Sequence, residues 1–68
     1  MNPKNEQVYR KVIGVMSSSS VYPLRIFPAG GKVRIFHEDK LLLETSQEEF
    51  MKLEPVEILA KAGVAVRE

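Results

Sequence analysis

Few residues in this chain are of types that do chemistry, and fewer still stand at a spacing that lets them act together. His37 is the lone histidine and is followed by Glu38 and Asp39. An imidazole beside carboxylates can serve as a general base or a pH sensor. Here it closes a strand beside a turn, which reads as a surface histidine, because catalysis needs further partners that the sequence does not display. Glu48 and Glu49 are a second pair of carboxylates. General acid–base work needs two groups converging on one bond, whereas neighbours on a helix point about 100° apart. Ser17 to Ser20 offer hydroxyls for a nucleophile or for phosphorylation. With no base and orienting group near them in sequence, they read as a polar connector. Gly30-Gly31 is a turn rather than a phosphate cradle, and no nucleotide-binding glycine motif or cluster of metal-ligand residues is present. Without cysteine a disulfide is impossible and a Cys/His zinc site lacks ligands. The expectation is a non-enzymatic protein with no catalytic residue, no metal and no cofactor.

Binding is the chemistry that remains. The tripeptide Arg-Ile-Phe occurs twice, at Arg25-Ile26-Phe27 and Arg34-Ile35-Phe36, on either side of the turn-forming cluster Pro28-Ala29-Gly30-Gly31. Alternate strand residues face opposite sides. Leu24, Ile26, Val33 and Ile35 therefore share an ordinary core face, and Arg25, Phe27, Arg34 and Phe36 share a face that mixes cations with aromatics. Arg25, Phe27, Lys32, Arg34 and Phe36 are the candidate binding residues. Two kinds of partner suit them. In the first reading they anchor a protein contact, where aromatics and arginine are enriched. In the alternative, Phe27 and Phe36 stack the bases of a single-stranded nucleic acid, with Tyr22 extending the stack, while the cations meet phosphates. A helix laid over the same face would instead make the two phenylalanines core, with the arginine stems reaching past its edge.

Size and charge favour the first reading. Sixty-eight residues bound a single domain. A chain this short buries only about 60% of the surface its unfolded form exposes. With disulfides and structural zinc excluded, tight packing or association must supply the missing stability. Net charge is +1, but residues 1–37 carry six Lys/Arg and one acid, whereas residues 38–57 carry seven acids and two lysines. The two halves can neutralise each other within the fold or between copies, or the basic half can meet an acidic partner. A homo-oligomer or a protein partner is expected. A small-molecule substrate is not, since a pocket of roughly 300–1,000 Å3 leaves little room for a core. The polar N-terminal stretch lacks the apolar run of a signal peptide, and no segment approaches about 18 apolar residues. A soluble, cytoplasmic protein without a membrane partner is expected.

The elements that must hold the hairpin follow from local signals. Asn2-Pro3 reads as a helix start, and Val8, Val12, Val15 and Met16, with Ile13 adjacent, form an apolar helical stripe, leaving Lys4, Glu6, Arg10 and Lys11 outside it. A strand with Tyr9, Ile13 and Val15 on one side is the competing reading of the segment. Strands are expected at Val21–Phe27, with Pro23 at an edge or at the strand start, at Lys32–His37, and at Lys40–Thr45. Leu41-Leu42-Leu43 breaks alternation and predicts a third strand at least partly covered on both faces, in a central position or with a helix on one side and another element on the other. Ser46 and Glu49 have the spacing of a capping box. Pro55 splits the helix that follows, with Phe50 and Leu53 facing inward before it and Val56, Leu59 and Ala60 after it. Its acidity argues against a DNA-reading helix–turn–helix. Gly63 ends this helix with Val64 folding back on Leu59, and Val64–Val66 forms a short edge strand. The predicted fold is α+β: an N-terminal helix (1–16), a three-stranded antiparallel β-meander (21–45), a kinked C-terminal helix (46–62) and a short final strand (64–67).

Overall fold

Two glycines form the whole of the first hairpin turn. Gly30 and Gly31 have φ of 60° and 76°, the pair of positive angles a two-residue turn needs to follow the twist of its strands. The computed structural model describes residues 3–67, with side chains from Glu6 onward. Its elements are α1 (Pro3–Ser18), β1 (Leu24–Ala29), β2 (Lys32–His37), β3 (Lys40–Ser46), α2 (Gln47–Lys52) and α3 (Pro55–Ala62). The strands form one antiparallel sheet in the order β1-β2-β3, and all three helices pack against it, giving the α+β fold expected. Asn2, expected to cap α1, lies outside the described residues, as does the side chain of Lys4.

The core lies between the sheet and the helices. Val8, Val12 and Val15 enter it from α1, Leu24 and Ile26 from β1, and Val33 and Ile35 from β2. Phe50 from α2 and Ile58, Leu59 and Ala62 from α3 complete it with Val64. Two residues of the predicted stripe stay outside: Ile13 and Met16 are 63% and 42% exposed. The i, i+4, i+7 row of Val8, Val12 and Val15 already covers the sheet, so the next row round the helix has nothing to pack on. In α3, likewise, Val56 and Ala60 are exposed while Ile58, Leu59 and Ala62 go inward.

Helix ends are set by local bonds. Ser46 Oγ accepts the Glu49 N–H at 3.0 Å and caps α2. The return half of the expected capping box is instead made at α3, where the Glu54 N–H donates to Glu57 Oε1 at 3.2 Å. Leu53 and Glu54 are extended, so Pro55 opens a new helix rather than bending an old one. Gly63 adopts the left-handed conformation, and the Val64 N–H reaches Leu59 O at 2.9 Å, the Schellman ending expected.

Four expectations are corrected. β1 begins at Leu24, after a cis Tyr22–Pro23 peptide, and extends through Pro28 and Ala29, because the turn needs only its two glycines. β3 is an edge strand and not a central one. Its run of three leucines marks a β-bulge: Ile35 pairs with Leu43 and Phe36 with Leu41, leaving Leu42 as the extra residue. Leu42 and Leu43 pack on the core while Leu41 is 47% exposed. The tail is a single antiparallel bridge, Ser19 to Val66, rather than a strand of the sheet. It pairs with the serine run through Ser20 N–H to Ala65 O (3.0 Å) and Arg67 N–H to Ser18 O (2.7 Å). The serines are thus more than a connector: α1 runs through Ser18, and buried Ser19 satisfies its hydroxyl against the backbone of Val21.

Candidate functional site

The hairpin turn fixes the arrangement of the candidate binding residues. With Ala29 opposite Lys32, the register sets Arg25 opposite Phe36 and Phe27 opposite Arg34. All five candidates, Arg25, Phe27, Lys32, Arg34 and Phe36, therefore lie on the sheet face turned away from the helices. No described helix covers that face: Phe27 is 51% exposed and Phe36 is partly buried. The two rings meet edge to face, with centroids 5.7 Å apart and planes at 69°.

Two residues not foreseen for this face complete it. Leu41 lies opposite Phe36, and Glu44 lies opposite Arg34 on β3. Arg34 Nε donates to Glu44 Oε2 at 2.6 Å. That hydrogen bond, the Arg34 charge and then the Lys32 charge hold the Glu44 carboxyl below its ordinary pKa. Among the described residues, Arg25 and Lys32 make no ion pair. The resulting row runs from anionic at Glu44 through Arg34 to aromatic and cationic at the β1 edge.

A second surface went unread in the sequence. Tyr9, Ile13 and Met16 stand at i, i+4, i+7 on α1 and are 51%, 63% and 42% exposed. Tyr9 borders the depression beside Pro28 and Ala29, while Ile13 and Met16 border another beside Val21, Tyr22 and Leu24. The row thus runs antiparallel to β1, along its open side, and ends at Tyr22, which is 90% exposed. Its signal was the helical spacing of Tyr9, Ile13 and Met16, one row over from the core valines.

The open side of β1 also carries backbone groups. A two-residue turn makes its flanking pair, Ala29 and Lys32, a hydrogen-bonded one. By alternation the N–H and C=O groups of Arg25 and Phe27 are then committed to β2. Those of Leu24 and Ile26, with the Pro28 carbonyl, point away from the sheet.

Between α1, the hairpin turn and α2 lies a cleft of about 610 Å3, larger than a chain of this length was expected to carry. Gln7, Gly31, Glu48 and Lys52 line it from the surface, with Val8, Gln47 and Met51 beneath. Glu48 and Lys52 pair with each other at 3.3 Å. Among the described residues, no three His, Asp or Glu side chains gather as a metal would require, and no buried side-chain polar atom lacks a partner. No described helix is long and apolar enough to cross a membrane. Comparison with protein-family models, with curated proteins and with solved structures gave no match.

Proposed function

We propose that this chain is a small, non-enzymatic protein-interaction module of the cytoplasm that associates with itself or with a larger protein. One observation carries the reading. Among the described residues, seven large apolar ones, Tyr9, Ile13, Met16, Tyr22, Phe27, Leu41 and Val56, are at least 42% exposed. Scattered apolar residues are ordinary on a protein surface, but contiguous patches mark contacts. Here Phe27 and Leu41 share the outer sheet face, and four of the others follow the β1 edge. The charge distribution supports the same reading. Of the three described ion pairs, only Arg34–Glu44 joins the basic half to the acidic half, since Arg10–Glu6 and Lys52–Glu48 lie within single helices. Ion pairs among the described residues therefore leave much of the split charge unneutralised within the fold. The absence of cysteine fits a reducing compartment.

The test is molar mass by light scattering across concentration, together with affinity capture from lysate. Association with itself or recovery of a specific protein is expected. A strict monomer that captures nothing overturns the reading.

Single-stranded nucleic acid is the second reading, favoured by the uncovered Arg/Phe face. The edge-to-face contact of Phe27 and Phe36 counts against it, because two bases cannot stack in parallel on rings 69° apart. A labelled oligonucleotide at about 50 mM salt, where electrostatic attachment is strong, tests it. Binding that is lost in Phe27→Ala would revive it, and the absence of binding removes it.

A further inference from the structure

We propose that the partner is a second copy of this chain, docked about a two-fold axis through Ile26 so that the two β1 strands pair antiparallel and continue the sheet. The inference rests on the interaction reading above and names its partner and surface. Three features of the β1 edge carry it.

The first is the backbone. No described strand pairs with the outward N–H and C=O groups of Leu24 and Ile26, and a docking strand would meet them where the two residues keep 4% and 8% of their surface. With Ile26 on the axis, Ile26 exchanges both bonds with its counterpart. The Leu24 N–H donates to the Pro28 carbonyl of the second copy, and the reverse bond completes four. Pro28 has no N–H to offer, so the Leu24 carbonyl of the second copy is left to water at the strand start.

The second feature is self-complementarity. An axis at Ile26 sets Arg25 opposite Phe27 of the second copy and keeps the two Arg25 charges apart. Observed pairings then extend across the whole sheet as a row: Leu41, Phe36, Arg25, and from the second copy Phe27, Arg34 and Glu44. Arg25, which has no acid partner among the described residues and already stands beside Phe36, gains Phe27 of the second copy on its other side. A two-fold contact requires this kind of patch, in which each copy supplies both halves.

The third feature is area. Tyr9, Ile13, Met16 and Tyr22 flank the same edge and face the same row of the second copy. A full aromatic side chain contributes roughly 150–250 Å2. At their exposures the two tyrosines alone supply about a third of the roughly 800 Å2 that each partner of a standard interface buries.

The chain has no cysteine, so disulfide mapping starts from a clean background. Opposed residues of a non-hydrogen-bonded antiparallel pair have Cα atoms about 4.5 Å apart, within the range of a disulfide. Arg25→Cys mixed with Phe27→Cys under oxidised glutathione should give the crossed dimer. Either variant alone should not, because like positions then stand beyond the ~7 Å limit. Either one mixed with Glu44→Cys, on the far edge, should not either. Ile13→Glu, at a position already exposed, should weaken dimerisation about 30-fold or more by sedimentation while the fold is kept. Tyr9→Lys serves as a second variant should Ile13→Glu unfold. A dimer that cross-links through Leu41→Cys on the sheet face instead overturns this inference and leaves the interaction reading standing. So does a monomer that captures a different protein. A monomer that captures nothing removes both.

Discussion

Arg34 carries the electrostatics of the outer face. Its bond to Glu44 stabilises the carboxylate form, so the Glu44 pKa is lower in the folded chain than in the unfolded one. The stability this contributes is present above the ordinary carboxylate range and is lost as pH falls through the lowered value. An NMR titration should therefore give Glu44 a midpoint below that of an ordinary glutamate, rising toward it in Arg34→Gln. The melting-temperature gap between the two proteins should close as the medium is made acid. Phe50 is the residue on which the core depends most: it is fully buried and the largest side chain there. Phe50→Ala should cost about 3–5 kcal/mol in urea unfolding, a large share of the roughly 5–15 kcal/mol that folded proteins possess. At this scale the sequence was informative about sides and silent about covers. Strand alternation alone places Arg25, Phe27, Arg34 and Phe36 together. Whether a helix lies over them depends on which face the distant valines of α1 choose, and no local pattern encodes that choice.

Element boundaries divide in the same way between local and distant causes. The Ser46 cap, the break at Pro55 and the left-handed Gly63 are each written within a few residues, and each was legible. Ser46→Ala should cost about 1 kcal/mol by removing the acceptor of the Glu49 N–H. Gly63→Ala should cost about 1–2 kcal/mol. A Cβ there meets nothing within 4 Å, so the penalty is conformational alone. Thermal or urea melts of each variant check both. The start of β1, the bulge in β3 and the docking of residues 65–67 on the serine run were not legible. Leu41-Leu42-Leu43 reads equally as a strand covered on two faces or as a bulged one, and only the pairing to β2 decides. The bridge from Ser19 to Val66 joins segments at opposite ends of the chain, beyond the reach of any turn or periodicity signal.

For the whole molecule, the balance between apolar and charged contacts decides how association responds to its surroundings. The proposed contact uses backbone bonds, Tyr9, Ile13, Met16 and Tyr22, with arginine against aromatic rings rather than against acids. Raising salt from about 50 to 200 mM should therefore change the dimer constant by less than about tenfold, measured by sedimentation. Attachment through 6–10 phosphates would fall by about 10³–10⁵ over that range. The bulge at Leu42 has a consequence for how far assembly can go. A sheet with two open edges can add β1 to β3 head to tail without end and grow a filament. A bulged strand is a poor template for another chain, because its edge is twisted out of line. In the proposed pair, polymerisation would be blocked at β3, and growth through strand edges would stop at two copies. Deleting Leu42 should straighten that edge and convert a closed pair into species of increasing size on a sedimentation profile.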